Sequence, residues 1–142
     1  MSRKKSNSTI ILWAILVLLV AGMLFLYNST MFERVKPSIS LQNNGYWNLR
    51  KPLKLKISDK SGIKHYKVLL KTSSGTSELY DEYLIKKVAD IEVDIKPPRS
   101  AYAMSDNKIQ IIVEVTDRSK WNLFDGNKAE DKFVLTIDKK RP

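Results

Sequence analysis

The chain has 142 residues, 25 basic against 15 acidic, one histidine and no cysteine, for a formal charge of +10. Lack of cysteine removes disulfides and thiolate chemistry, and a single histidine leaves a zinc site short of its three or four ligands. Once an N-terminal apolar run is set aside, the length suits one domain with a single core.

Residues 1–9, MSRKKSNST, carry Arg3, Lys4 and Lys5 and no acid. Ile10 to Tyr27, IILWAILVLLVAGMLFLY, then runs without a charge or a proline. Eighteen helical residues cover about 27 Å, close to the ~30 Å hydrocarbon core of a bilayer. Twelve of them are Leu, Ile, Val or Phe, and no polar stripe recurs at every third or fourth position, so the run reads as a transmembrane helix over 10–27. A cleaved signal peptide shares the basic start and the apolar stretch. Against it, Gly22 to Ser29 offer no small-x-small cleavage pattern, and no cysteine is present for a lipid anchor. The basic excess nearest the membrane lies on the N-terminal side, which places residues 1–9 in the cytoplasm and everything from Asn28 outside. Trp13 and Tyr27 suit the two headgroup zones.

Residues 28–37 form a connector closed by Pro37, which disfavours helix at Lys36. Beyond it the pattern is extended. Ser38 to Gln42 is apolar at Ile39 and Leu41 and ends in the turn Asn43–Asn44–Gly45, followed by Tyr46 and Trp47. Leu53, Leu55 and Ile57 alternate with Lys54 and Lys56, a half-buried strand. Asp59 to Gly62 turn, and Ile63 to Lys71 form the next strand, with Tyr66, Val68 and Leu70 inward and His65, Lys67 and Lys71 outward. Thr76 to Lys87 fits neither template cleanly and is left as strand or loop. Ala89, Ile91, Val93 and Ile95 alternate with Asp90, Glu92, Asp94 and Lys96 before Pro97 and Pro98 stop the run. Ile109 to Thr116 repeats the pattern after a loop from Arg99 to Asn107. A long loop, TDRSKWNLFDGNKAED, precedes a last strand at Phe133, Leu135 and Ile137. These seven strand patterns, with turn signals between them, predict an all-β exported domain, an immunoglobulin-like β-sandwich over 38–142, with an open barrel as the alternative.

Few residues converge on chemistry. His65 falls on the polar side of its strand, no G-x-S-x-G motif accompanies it, and the adjacent acids Asp81–Glu82 and Glu130–Asp131 read as solvated charge. Asp117, Asp125, Asn127, Glu130 and Asp131 are rich in oxygen, but their spacing is not that of an EF-hand loop. Trp47, Trp121 and Phe124 form a possible binding surface able to stack on sugar rings; packing over the core or the sandwich edge is the plainer reading of the same rings. No cofactor or metal is expected. Without Arg3, Lys4 and Lys5 the remainder holds 22 basic residues against 15 acidic, about +7, which favours anionic glycans or lipid headgroups; lysines that alternate on strands also serve simply to face water. No nucleic-acid partner is expected, since no basic helix with interleaved aromatics occurs.

The segments DKSGIKHYKV, from Asp59, and EVTDRSKWNLFDGNKAEDKFVLTIDKKRP, from Glu114, resemble parts of exported bacterial immunoglobulin-like modules. In those, a D-x-S-G-I turn opens a strand and V-x-D-x-S, G-N-x-A and x-I-D-x-x-x-P lead out of the domain. With the basic start, the single span and the M-F-E-R connector, the whole chain is similar to the N-terminal region of membrane-anchored M23 (LytM-type) peptidoglycan endopeptidases. The resemblance implies a single-pass protein of the bacterial inner membrane, with its C-terminal domain in the periplasm, serving cell-wall remodelling. Its partners would be the inner membrane and peptidoglycan, a cell-wall hydrolase or a scaffold. The family's H-x-x-x-D and H-x-H zinc ligands would follow IDKKRP, and no position of this chain matches them. The expectation is therefore a non-catalytic module, a truncated or split relative of such an enzyme or a free-standing anchor.

Overall fold

A computed structural model describes residues 7–99 and 105–138. The basic start Arg3–Lys5, part of the 99–107 loop and the terminal KKRP lie outside them. The chain is mostly β-strand, led by one apolar helix, α1 (Asn7–Asn28), which is long and apolar enough to cross a membrane. Helix α1 extends the apolar run by three residues at its start and one at its end, and none of its side chains is buried. A single 3-10 turn, Thr30–Phe32, follows, capped by the Ser29 side chain accepting from the Met31 amide.

Among the described residues eight strands come next: β1 (Ser38–Gln42), β2 (Tyr46–Trp47), β3 (Leu53–Ser58), β4 (Ile63–Thr72), β5 (Gly75–Tyr83), β6 (Asp90–Ile95), β7 (Lys108–Asp117) and β8 (Lys128–Ile137). They form a three-stranded sheet, β1-β3-β6, and a five-stranded sheet, β2-β8-β7-β4-β5. All pairings are antiparallel except β2 with β8, where Tyr46 faces Thr136 and Trp47 faces Ile137. The chain thus begins in the small sheet and crosses to the large one through Asn43–Gly45.

Alternation places the core as the sequence predicts. Leu55 and Ile57 of the small sheet meet Val68, Leu70, Ile111, Val113 and Leu135 of the large one in one buried cluster. Ile63 and Tyr66 both point inward although they stand three positions apart, which a strict period of two forbids. A register shift between Ile63 and His65 against β7 supplies the extra residue, the usual use of a bulge.

One region that the sequence leaves open resolves as strand, and one departs from expectation. Thr76–Tyr83 is strand, the outer edge of the large sheet, and its burial is low throughout; an edge strand with one neighbour needs no apolar face, so its sequence carries no clear period. The segment Lys128–Asp131, read as the end of a loop, opens β8. It pairs with Thr116 to Val113, while β2 covers β8 only at Thr136 and Ile137. Its charges belong to an exposed edge, and backbone pairing alone recruits it.

Strand direction gives the domain two ends. The ten-residue strands β7 and β8 span about 33 Å. The connector meets the domain at the end where β7 stops and β8 starts; the Asn43–Pro52 segment, the β4–β5 turn and Asp138 lie at the far end. The core assignment is checked by urea unfolding: Ile111→Ala should cost about 2–5 kcal/mol, and Ile112→Ala, on the outward face, within about 1 kcal/mol.

Candidate functional site

The motif residues gather where the connector enters. Asp117 is fully buried. Its Oδ1 accepts from the amides of Ser119 (3.0 Å) and Asn127 (2.8 Å), and its Oδ2 from Asn127 Nδ2 (2.8 Å). The V-x-D-x-S and G-N motifs are therefore one device, an Asp whose side chain closes its own turn and holds the start of β8. Gly126 lies between them at φ +83°, and a Cβ there would stand 2.6 Å from the Asp117 carbonyl oxygen. The D-x-S-G-I turn repeats the geometry on the neighbouring loop: Asp59 Oδ1 accepts from the Ser61 amide at 2.9 Å, and the Gly62 amide donates to the Asp59 carbonyl at 3.2 Å.

What this frame grips is the connector. Asn127 Nδ2 donates to the Glu33 carbonyl at 2.7 Å, Ser119 Oγ donates to the same oxygen at 2.6 Å, and the Lys120 amide donates to the Met31 carbonyl at 2.5 Å. The guanidinium of Arg34 lies over both the Tyr27 ring at the end of α1 (4.8 Å) and the Trp121 ring (4.4 Å), a cation stacked between two faces. Arg118 completes the joint, donating to the carbonyls of Ile63, Leu84 and Lys86.

The carboxyl of Glu33 turns toward Asp59 and Asp117. Among the described residues its buried Oε2 meets no donor. Burial first, then the Asp59 charge, raise the Glu33 carboxyl above the usual range; burial likewise raises Asp59, against the opposing pull of the Ser61 hydroxyl.

The three aromatic residues of the expected binding surface do not converge. Trp47 is 3% exposed and belongs to the core, its Nε1 donating to the Lys51 carbonyl at 2.8 Å; it forms part of the wall of the far-end cleft and is not an exposed platform. Trp121, 38% exposed, and Phe124, 69% exposed, share a loop at the connector end, opposite Trp47. His65 sits on the outer face of β4, bonded to Asp81 and stacked on Tyr83 at 4.1 Å. The oxygen-rich loop residues also separate: Asp117 spends its oxygens on N–H donors, and Glu130 and Asp131 lie along β8. Among the described residues, no three His, Cys, Asp or Glu side chains gather as metal ligands. At the far end lies an open cleft of about 730 Å³, lined by Asn43, Asn44, Tyr46, Asn48, Lys51 and Asp138 among others. Sequence reasoning missed it because its walls come from the irregular 43–52 segment, which has no period.

No family model, curated protein or solved structure matches this chain. The resemblance to M23 endopeptidases therefore rests on the motifs quoted above.

Two outcomes test the joint. Gly126→Ala combines a left-handed backbone with a clash against backbone and should cost more than about 2 kcal/mol, whereas Gly45→Ala, at φ +82° with open space around it, should cost only about 1 kcal/mol; denaturant midpoints decide. Because Glu33 and Asp59 titrate higher in the fold, their contribution to stability is complete below the ordinary carboxylate pKa and lost as pH rises through the raised values. Glu33→Gln leaves the gripped carbonyl in place, so it should flatten that slope and be at least as stable as the parent at neutral pH, read from unfolding midpoints across the acid range.

Proposed function

We propose that this chain is a membrane-anchored, non-catalytic envelope module serving peptidoglycan remodelling, its β domain held at the periplasmic face of a bacterial inner membrane. The observation that carries the reading is the gripped connector. A flexible tether would let the domain wander over the root-mean-square length of the linker; here the Met31 and Glu33 carbonyls and the Arg34 guanidinium are engaged within a few residues of α1. The joint holds the sandwich at a set attitude to the helix.

Two further features support the assignment. The first strand is divided between the sheets, and its second half, β2, runs parallel to the last strand, an arrangement that favours an immunoglobulin-like sandwich over an open barrel. The far-end cleft, with amide side chains around Tyr46, faces away from the anchor, where a wall glycan, a hydrolase or a scaffold would be met. Its size lies in the range of ligand clefts. In this reading the module's task is placement, and any hydrolysis is performed by a partner or by a catalytic domain of the M23 type.

Fusing alkaline phosphatase after Pro142 tests the orientation: the full chain expressed in a Gram-negative cell should give an active phosphatase, and a cytoplasm-only activity overturns the topology. Purified full-length protein in detergent should also co-sediment with isolated peptidoglycan sacculi, and Tyr46→Ala with Asn44→Ala should reduce the bound fraction several-fold; retention equal to the parent's removes the cleft from the proposal.

A further inference from the structure

We propose that the connector end of the β domain is itself a membrane-contacting surface, whose apolar loop tips enter the headgroup–acyl boundary of the leaflet from which α1 emerges. The proposal rests on reading α1 as a membrane span.

Three side chains at this end are far more exposed than their chemistry favours: Ile85 at 96%, Leu123 at 93% and Phe124 at 69%. They come from two loops, 84–89 and 118–127, that Arg118 binds together through the Leu84 and Lys86 carbonyls. Single exposed apolar residues are ordinary; a clustered group at one end of a domain marks an interaction surface.

Backbone strain at the same place points the same way. Asn122, Leu123 and Phe124 are successive left-handed residues, with φ of +55°, +55° and +72°, closed by bonds from the Phe124 amide to the Lys120 carbonyl and from the Gly126 amide to the Trp121 carbonyl. Asn tolerates this region; for Leu and Phe it is a costly conformation. A loop built for solvent would hold Gly, Asn or Asp at these positions. This one keeps two large apolar side chains in the costly conformation and turns them outward, the arrangement expected where strain is held for contact.

Position names the occupant. The Arg34 guanidinium stacks on Tyr27, in the last turn of α1, and on Trp121, the first residue of the strained turn. The loop therefore sits beside the point where the apolar helix ends, and a bilayer that holds α1 brings its interface to Trp121 and the residues just beyond. The charges fit an anionic surface as well: the 84–89 loop carries Lys86 and Lys87 with no acid, and Arg118 and Lys120 flank the strained turn, opposed by Asp125. Basic residues around apolar and aromatic tips are the pattern of an interfacial contact.

The absence of native cysteine makes a direct test possible in the full chain. Single substitutions Leu18→Cys, Tyr46→Cys, Ile85→Cys and Leu123→Cys would each carry an environment-sensitive fluorophore in phosphatidylcholine–phosphatidylglycerol nanodiscs, with nitroxide quenchers placed on lipids at headgroup or acyl depth. Leu18 should be quenched at acyl depth and Tyr46, at the far end, by neither. Ile85 and Leu123 should be quenched from headgroup depth, with blue-shifted emission. Quenching at Leu18 with Ile85 and Leu123 as unquenched as Tyr46 overturns the proposal and leaves the span standing. Blue-shifted but unquenched labels at Ile85 and Leu123 overturn it in favour of a protein partner or a second copy. Lack of quenching at Leu18 overturns the span, and the proposal with it. Phe124→Asn in the Leu123→Asn background relieves the strain without threatening the fold, and it should cut the quenching at Ile85 several-fold; undiminished quenching there overturns the role of the strained turn.

Discussion

The structure depends on a carboxylate with no access to water. Asp117 is fully buried, a placement that costs several kcal/mol for an ion unless donors replace its hydration. Two backbone amides and the Asn127 side chain do so. Because those donors come from opposite ends of the 118–127 loop, satisfying the charge also closes the loop. Asn127 then has a second hydrogen for the Glu33 carbonyl, so the group that donates to the buried carboxyl is the group that grips the connector. Core, loop and connector are in this way coupled through the Asn127 side chain, with the Ser119 hydroxyl and the Lys120 amide beside it.

That coupling changes what the quoted motifs mean. D-x-S-G-I and V-x-D-x-S with G-N have the look of a ligand site, with acids and hydroxyls at close spacing. Their oxygens are turned instead to local N–H donors, and Gly126 is demanded by the approach of the Asp117 carbonyl oxygen. In this chain the motifs are a way of joining a β domain to the segment before it. The link from there to cell-wall remodelling is a proposal about where such a joint is useful.

Much of the fold was legible because burial imposes a period. Leu53–Ile57, Ala89–Ile95 and Ile109–Val115 each have a neighbour on both sides in the sheet or a full inward face, and their alternation was plain. Legibility failed where burial is shallow: β5 is an edge, and Lys128–Asp131 is held by backbone pairing alone, so neither writes its position into side-chain choice. Trp47 shows what a local pattern leaves open. An aromatic next to a polar turn reads more plainly as packing than as a platform, and the crossing from the small sheet to the large one is what puts its ring inside. The joint was half visible: the residues of both Asp turns were singled out, but the contact between Asn127 and Glu33 spans 94 positions, beyond the reach of any local pattern.

The exposed tips at the connector end make energetic sense only when the anchor is counted. Leu123, Phe124 and Ile85 would gain about 1.5–3 kcal/mol each if fully buried, less at an interface, and each nearby lysine or arginine adds about 1 kcal/mol on an anionic surface. The strain at Leu123 and Phe124 is present whether or not a surface is met, so it does not oppose contact. With α1 in a bilayer, a tethered domain would meet the surface at an effective concentration in the millimolar range and lose little further translational freedom on contact, so a gain above about 4 kcal/mol would bias the domain toward one tilt. On the proposed membrane contact, the gripped connector would restrict the available tilts further, so the strained turn and the Asp117 joint would act on the same degree of freedom: the direction in which the far-end cleft points away from the bilayer.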